Sequence, residues 1–206
     1  MKRIEILLAA ALAALATPAA AQTTPGHAHH HAAPADSVIR QWTPADAHFM
    51  SAMIGHHAQA VQMARLAPTH GASPAVRRLA DRIISAQQDE IATMQRWLRA
   101  RNQPVPPATG GAHGHDGHAM PGMLTEAQMQ QLDRARGAEF DQLFLQLMIQ
   151  HHRGAVAMVS QLFGTYGAGQ DETVFKFASD VNVDQVTEIA RMENMLVDLV
   201  FGEGSR

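Results

Sequence analysis

The chain has 206 residues, 46% of them hydrophobic and 17% charged, with a formal net charge of −3. That is enough apolar material for one sizeable domain or two small ones, and the slightly acidic balance argues against nucleic-acid binding, which shows a basic face. The absence of cysteine excludes disulfides and thiolate ligands, yet there are 13 histidines and 12 methionines against one tyrosine.

In chain order, Lys2 and Arg3 precede an apolar run from Ile6 to Ala16 and the small residues Ala19, Ala20 and Ala21. This pattern predicts a secretory signal peptide over residues 1–21, too short to span a membrane, with Glu5 as an atypical interruption. No later segment is apolar enough to span a membrane, so the mature chain is expected to be exported and soluble. Residues 22–42 lack periodicity and read as a flexible arm containing His27, His29, His30 and His31.

Thr43-Pro44-Ala45-Asp46 carries a helix start: a capping hydroxyl, proline at the first helical position and an acid in the first turn. The first helix is expected to end near Ala67, before Pro68 and Gly71. Ser73-Pro74 opens a second helix running to about Arg101, so residues 43–101 form one helical hairpin. Residues 102–124 turn rich in Pro, Gly and His and read as a linker holding His113, His115, His118, Met120 and Met123. Thr125 to Gln128 is a capping box for a short extra helix. A long helix follows Gly137 to about Phe163, and the last helix runs from about Asp171 to Phe201. Residues 125–201 therefore form a second hairpin with a short leading helix.

The two hairpins repeat each other. Phe49-Met50-Ser51-Ala52-Met53-Ile54-Gly55-His56-His57 realigns with Phe144-Leu145-Gln146-Leu147-Met148-Ile149-Gln150-His151-His152, and the match runs on to Met63 and Met158. Gln87, Glu90, Ile91 and Met94 correspond to Gln185, Glu188, Ile189 and Met192. One hairpin cannot bury its apolar face alone. The predicted fold is all-α, a four-helix bundle with residues 43–201 as one domain.

On a wheel of about 100° per residue, His56 and His57 both fall inside the apolar arc defined by Phe49, Met53, Ala60 and Met63. His151 and His152 do the same, and Gln87, Glu90, Gln185 and Glu188 share the buried arc of the following helices. Polar groups left unpaired in such surroundings cost several kcal/mol each, on the order of the transfer penalty for amides. They must bond one another, hold water or coordinate an ion. A recurring doublet with Met53 or Met148 one turn earlier favours coordination over a hydrogen-bond network. The candidate ligands are Met53, His56, His57, Glu90, Met148, His151, His152 and Glu188. Met63, Gln87, Met158, Gln185 and the tract residues His29, His31, His113, His115 and His118 are secondary candidates.

Mixed His and Met ligation suits copper, and the His- and Met-bearing arm and linker point the same way as low-affinity chelating tracts. His with Glu leaves iron, zinc or manganese open. The paired Glu-x-x-His motif of di-iron bundles is absent. Asp46 and Asp141 lie eleven residues before the second histidine of each doublet, about 16 Å along a helix. They read as partners of the helix dipole, while His48 and His70 read as surface or helix-end residues.

At the pattern Phe-x-x-x-Met-Ile-x-His-His-x-x-Ala-x-x-Met followed by Gln-x-x-Glu-Ile-x-x-Met, the chain resembles the family called domain of unknown function 305. Both halves match, as Phe49 to Met63 with Gln87 to Met94 and as Phe144 to Met158 with Gln185 to Met192. The resemblance implies a ferritin-like bundle exported in bacteria, with some members linked to periplasmic copper binding and resistance. It implies no reaction. The copies differ where Gln59 faces Gly154 and Ala58 faces Arg153. The expected function is copper binding or sequestration, with another periplasmic metal-handling protein as a partner. The rivals are a metal-dependent oxidoreductase or hydrolase, for which the sequence offers no nucleophile and only Glu90 and Glu188 as buried bases, and a structural or adaptor bundle held by His–Glu hydrogen bonds.

Overall fold

The structure is a computed structural model, and it describes residues 42–109 and 120–202. The expected signal peptide, the arm up to residue 41 with its histidines, and His113, His115 and His118 lie outside the described residues. Every regular element among the described residues is helical: α1 (Pro44–Ala64), α2 (Pro74–Ala100), α3 (Glu126–Arg134), α4 (Gly137–Gly164) and α5 (Glu172–Gly202). None is long and apolar enough to cross a membrane.

Local chemistry sets the helix starts. Thr43 and Asp46 bond each other's backbone in a capping box, and Pro44 supplies a preset φ. Ser73 accepts from the Val76 amide, and Thr125 pairs with Gln128 as the second capping box. Arg136 offers α4 no side-chain cap; instead the Gly137 amide donates to the His70 carbonyl at 2.9 Å. Asp171 caps α5 by accepting from the Thr173 and Val174 amides at 3.0 and 3.1 Å.

The long helices enclose two apolar cores stacked along their length. The first joins Phe49, Met50 and Met53 of α1 to Met94, Trp97 and Leu98 of α2, Met158 and Leu162 of α4, and Val174, Phe177 and Val181 of α5. The second joins Met63 of α1 to Leu79 and Ile83 of α2, Phe140, Phe144 and Met148 of α4, and Met192 of α5. The early part of α1 therefore shares a core with the late parts of α2 and α4 and the early part of α5. The helices run up, down, down, up, so α2 ends and α4 begins at opposite ends of the bundle, the arrangement of a ferritin-like fold with one crossover. Trp42, the last residue of the arm, packs edge-on against Trp97 with ring centroids 5.8 Å apart.

Two acids tie the hairpins together. The Gly169 amide, in the connection between α4 and α5, donates to Asp46 Oδ1 at 2.6 Å. The Ser73 amide, between α1 and α2, donates to both oxygens of Asp141 at 3.2 and 3.1 Å. Each acid is almost fully buried, so its role exceeds the dipole pairing expected from its first-turn position. His70, expected at a surface or helix end, is buried: its Nε2 meets the Asp133 carbonyl at 2.9 Å and its ring lies against Phe140.

Candidate metal centre

Between the two apolar cores lies a polar layer. His56, His57, His151 and His152 are each at most 1% exposed, and Gln87 and Gln185 are also buried there. The inward face predicted by the wheel is therefore the face these histidines present. Helices α1 and α4 pack together and bring His56 against His151 with ring centroids 3.9 Å apart. Sequence neighbours are farther apart, at 6.4 Å for His56 and His57 and 6.2 Å for His151 and His152.

The eight principal candidates thus divide into a centre and two flanks. On the flanks His57 Nε2 stands 2.7 Å from Glu90 Oε2, and His152 Nε2 stands 2.7 Å from Glu188 Oε2. The second is a well-aligned hydrogen bond; the first has the distance but not the alignment, since both of its atoms lack a hydrogen-bond partner. Burial and then the neighbouring Glu90, Asp180 and Glu188 raise the Asp184 carboxyl above its usual value, so this flank of the layer is acidic.

The centre is a pair of neutral imidazoles. Burial first, and then the nearby His57, push His56 down to about 3. Burial first, and then His56, His152 and His57, hold His151 well below the ordinary histidine value. His56 Nε2 meets the Pro121 carbonyl at 3.0 Å, so with the proton on Nε2 its lone pair is on Nδ1. That Nδ1, both nitrogens of His151, and Nδ1 of His57 and His152 are buried with no hydrogen-bond partner. Buried polar atoms are nearly always partnered. Neutral imidazoles with unused lone pairs in a buried layer fit a bound cation.

The thioethers flank this centre. Met53 and Met148, each one turn before a central histidine, are fully buried in the first and second cores respectively. Met63 sits in the second core and Met158 in the first, both as packing residues. Gln87 leaves both amide atoms unpartnered and Gln185 its oxygen. Among the described residues, no three His, Asp or Glu side chains gather as a ready metal cage. The donor set is therefore two imidazoles with thioethers nearby, which favours a soft ion of low coordination number over iron or manganese, whose sites are rich in carboxylates. The Pro121 carbonyl escapes a helix-period reading because it belongs to a loop backbone.

The profile of the family described as a domain of unknown function (DUF305) matches residues 46–196. No curated protein matches the chain. A DUF305 protein of Streptomyces coelicolor, inferred to be secreted, is 31% identical, covering 75% of this chain and 92% of its own, with a TM-score of 0.63. A DUF305 fragment from Deinococcus radiodurans is 30% identical over 75% of this chain and 97% of its own, with a TM-score of 0.65. CopM in its Cu(II)-bound form is 31% identical over 74% of this chain and 96% of its own, with a TM-score of 0.59. CopM has also been solved with Cu(I) and with Ag bound.

Proposed function

The chain belongs to the DUF305 family, and from that premise we propose that it is an exported copper-binding protein whose inner site is built on His56 and His151. One observation carries this reading. Two fully buried neutral imidazoles lie with ring centroids 3.9 Å apart and planes tilted by 42°, with unused nitrogens, between the core that holds Met53 and the core that holds Met148. Imidazole and thioether together suit Cu(I), and a site already free of protons binds a cation without first releasing any. The copper- and silver-bound forms of the relative CopM support the same choice of ion.

The ion is cargo. His152, hydrogen-bonded to Glu188, and His57, 2.7 Å from Glu90, brace the central pair and place two carboxylates beside it, so that a monovalent cation enters a layer of compensating charge. The histidines of the arm and the linker act in this reading as collecting tracts that pass copper inward or on to another metal-handling protein of the periplasm. Sequestration and transfer need nothing further.

The test compares two full-length proteins in which the tract histidines 27, 29, 30, 31, 113, 115 and 118 are serine, one of them also carrying His56→Leu and His151→Leu. Competition with a coloured Cu(I) chelator should show one tightly held ion in the first and none in the second. Equal binding by both would remove the inner site.

A further inference from the structure

The two copies of the repeat differ in a way that the site explains. Immediately before the doublet stands Gly55 in the first copy and Gln150 in the second; three residues after the first histidine stand Gln59 and Gly154. Glycine and glutamine have changed places. Gln59, Gln150 and Gly154 meet the same object, the segment over residues 120–124, and Gly55 lies beside Met120.

That segment is a tight turn. The Met123 amide donates to the Met120 carbonyl at 3.3 Å, Pro121 fills the second position, and Gly122 has φ +72°, the arrangement of a type II turn. The two glutamines bind it. Gln59 donates to the Leu124 carbonyl at 3.0 Å and accepts from the Leu124 amide at 2.7 Å. Gln150 reaches the Gly122 carbonyl at 3.4 Å and the Gln128 side chain at 3.1 Å. Gly154 makes room for it, whereas a Cβ at Gly55 would find only ordinary van der Waals contact. A Cβ on Gly154 would stand 2.0 Å from the Pro121 oxygen and 2.6 Å from Gly122 Cα. A Cβ on Gly55 would meet Met120 Cε at 3.8 Å and the Thr109 carbonyl at 3.7 Å. Seated this way, the turn delivers the Pro121 carbonyl to His56 Nε2.

Resting on the reading of His56 and His151 as the inner site, we propose that Met120–Leu124 is a strap that controls access of the ion to that pair, with Gln59 and Gly154 as its positioning residues. The central histidines are at most 1% exposed, so an ion can reach them only if something moves. The helices are closed by continuous ladders of backbone bonds. The strap is held by a few hydrogen bonds and by the burial of Met123 and Leu124, far less than anchors any long helix, so it opens at lower cost than the helices do. Opening it also releases His56 Nε2 from Pro121. Ion binding then waits on a minor open state, and its rate is set by the population of that state.

The test uses the full-length protein with serine at the tract histidines, alone or with Gly154→Ala or Gln59→Ala. Hydrogen exchange of the Leu124 amide reports strap release without any metal. Transfer of Cu(I) from a coloured weak chelator reports loading. Both variants are expected to speed Leu124 exchange and to speed loading tenfold or more, with the number of ions at saturation the same. If Gly154→Ala fails to fold, Gln59→Ala carries the test through its loading rate, because it introduces no clash but itself deletes the acceptor of the Leu124 amide. Faster Leu124 exchange with unchanged loading would overturn the strap's role and leave the copper reading intact. Unaltered Leu124 exchange in both variants would overturn the assignment of the positioning residues. A parent protein that takes up no Cu(I) would overturn both readings.

Discussion

His56 and His151, each from a different hairpin, lie with ring centroids 3.9 Å apart inside a layer that separates two apolar cores. Two imidazoles this close and this deeply buried cannot both carry a proton. Their neutrality has a consequence for the metal-free fold. Both have folded pKa values below the ordinary 6.5, that of His56 at about 3. Below pH 6.5 the unfolded chain takes up protons that the folded chain refuses, so stability falls as pH drops from about 6.5 towards 3. The slope contributed is roughly 1 kcal/mol per pH unit for each histidine. Urea unfolding of the metal-free protein between pH 7.5 and 4.5 should show that loss, and His56→Leu with His151→Leu should flatten it. Equal slopes for the two proteins would mean that the pair is charged or exposed.

A site kept for binding is a burden on the empty fold. Neither ring nitrogen of His151 makes a well-aligned hydrogen bond, its one polar neighbour being the His56 backbone, so His151→Leu, of roughly similar volume, removes a buried polar group at little cost to its surroundings. The metal-free melting temperature should stay level or rise by up to about 5 °C. Saturation at 100 times Kd should stabilise the parent by about 2.7 kcal/mol and leave this variant unmoved. A large fall in the metal-free melting temperature would mark His151 as a structural hydrogen-bonding residue.

The flanking pairs behave in the opposite way. Glu188 accepts from His152 at 2.7 Å, and Glu188→Ala leaves that buried donor unsatisfied, at a cost of about 1–3 kcal/mol. Glu188→Gln keeps an acceptor and should lose less than half as much. Thermal unfolding of the metal-free variants separates the two. Equal losses would show that charge, not the hydrogen bond, holds His152.

Asp171 concentrates several duties in one carboxylate. It caps α5, accepts from Trp97 Nε1 at 3.0 Å and meets the Arg101 guanidinium at 2.5 Å. Although burial opposes it, the bonds from Trp97, Val174 and Arg101 hold its carboxyl below the ordinary value of 3.8. Its contribution is therefore complete above pH 3.8 and is lost as pH falls through the lower folded value. Asp171→Ala should cost about 2–4 kcal/mol at neutral pH, from the lost cap and the stranded indole donor. Chelator competition should return the same Cu(I) stoichiometry as the parent. A changed stoichiometry would connect this corner of the bundle to the site.

Much of the architecture is local and therefore legible in the sequence. Thr43-Pro44, Ser73-Pro74 and the Thr125–Gln128 box start helices because their side chains satisfy free amides within three residues. The inward direction of the histidines follows from helical period alone. What period cannot supply is a partner on another helix. It does not tell that His56 meets His151, nor that His57 turns to Glu90. Asp46 and Asp141 look like dipole partners until the amides of Gly169 and Ser73 arrive from the opposite hairpin. The linker's composition hides the burial of Met123 and Leu124. Gln59 opposite Gly154 was visible as a difference between the copies, and only the path of the returning chain gives it a reason.

The most direct measurement is the imidazole nitrogen–proton spectrum of the full-length protein titrated with Ag(I), a redox-inert stand-in for Cu(I). With one equivalent bound, the ring nitrogens of His56 and His151 are expected to shift together, while His57 and His152 keep the signatures of their carboxylate pairs. Shifts confined to the histidines of the arm and linker, with His56 and His151 unmoved, would contradict a metal centre inside the bundle.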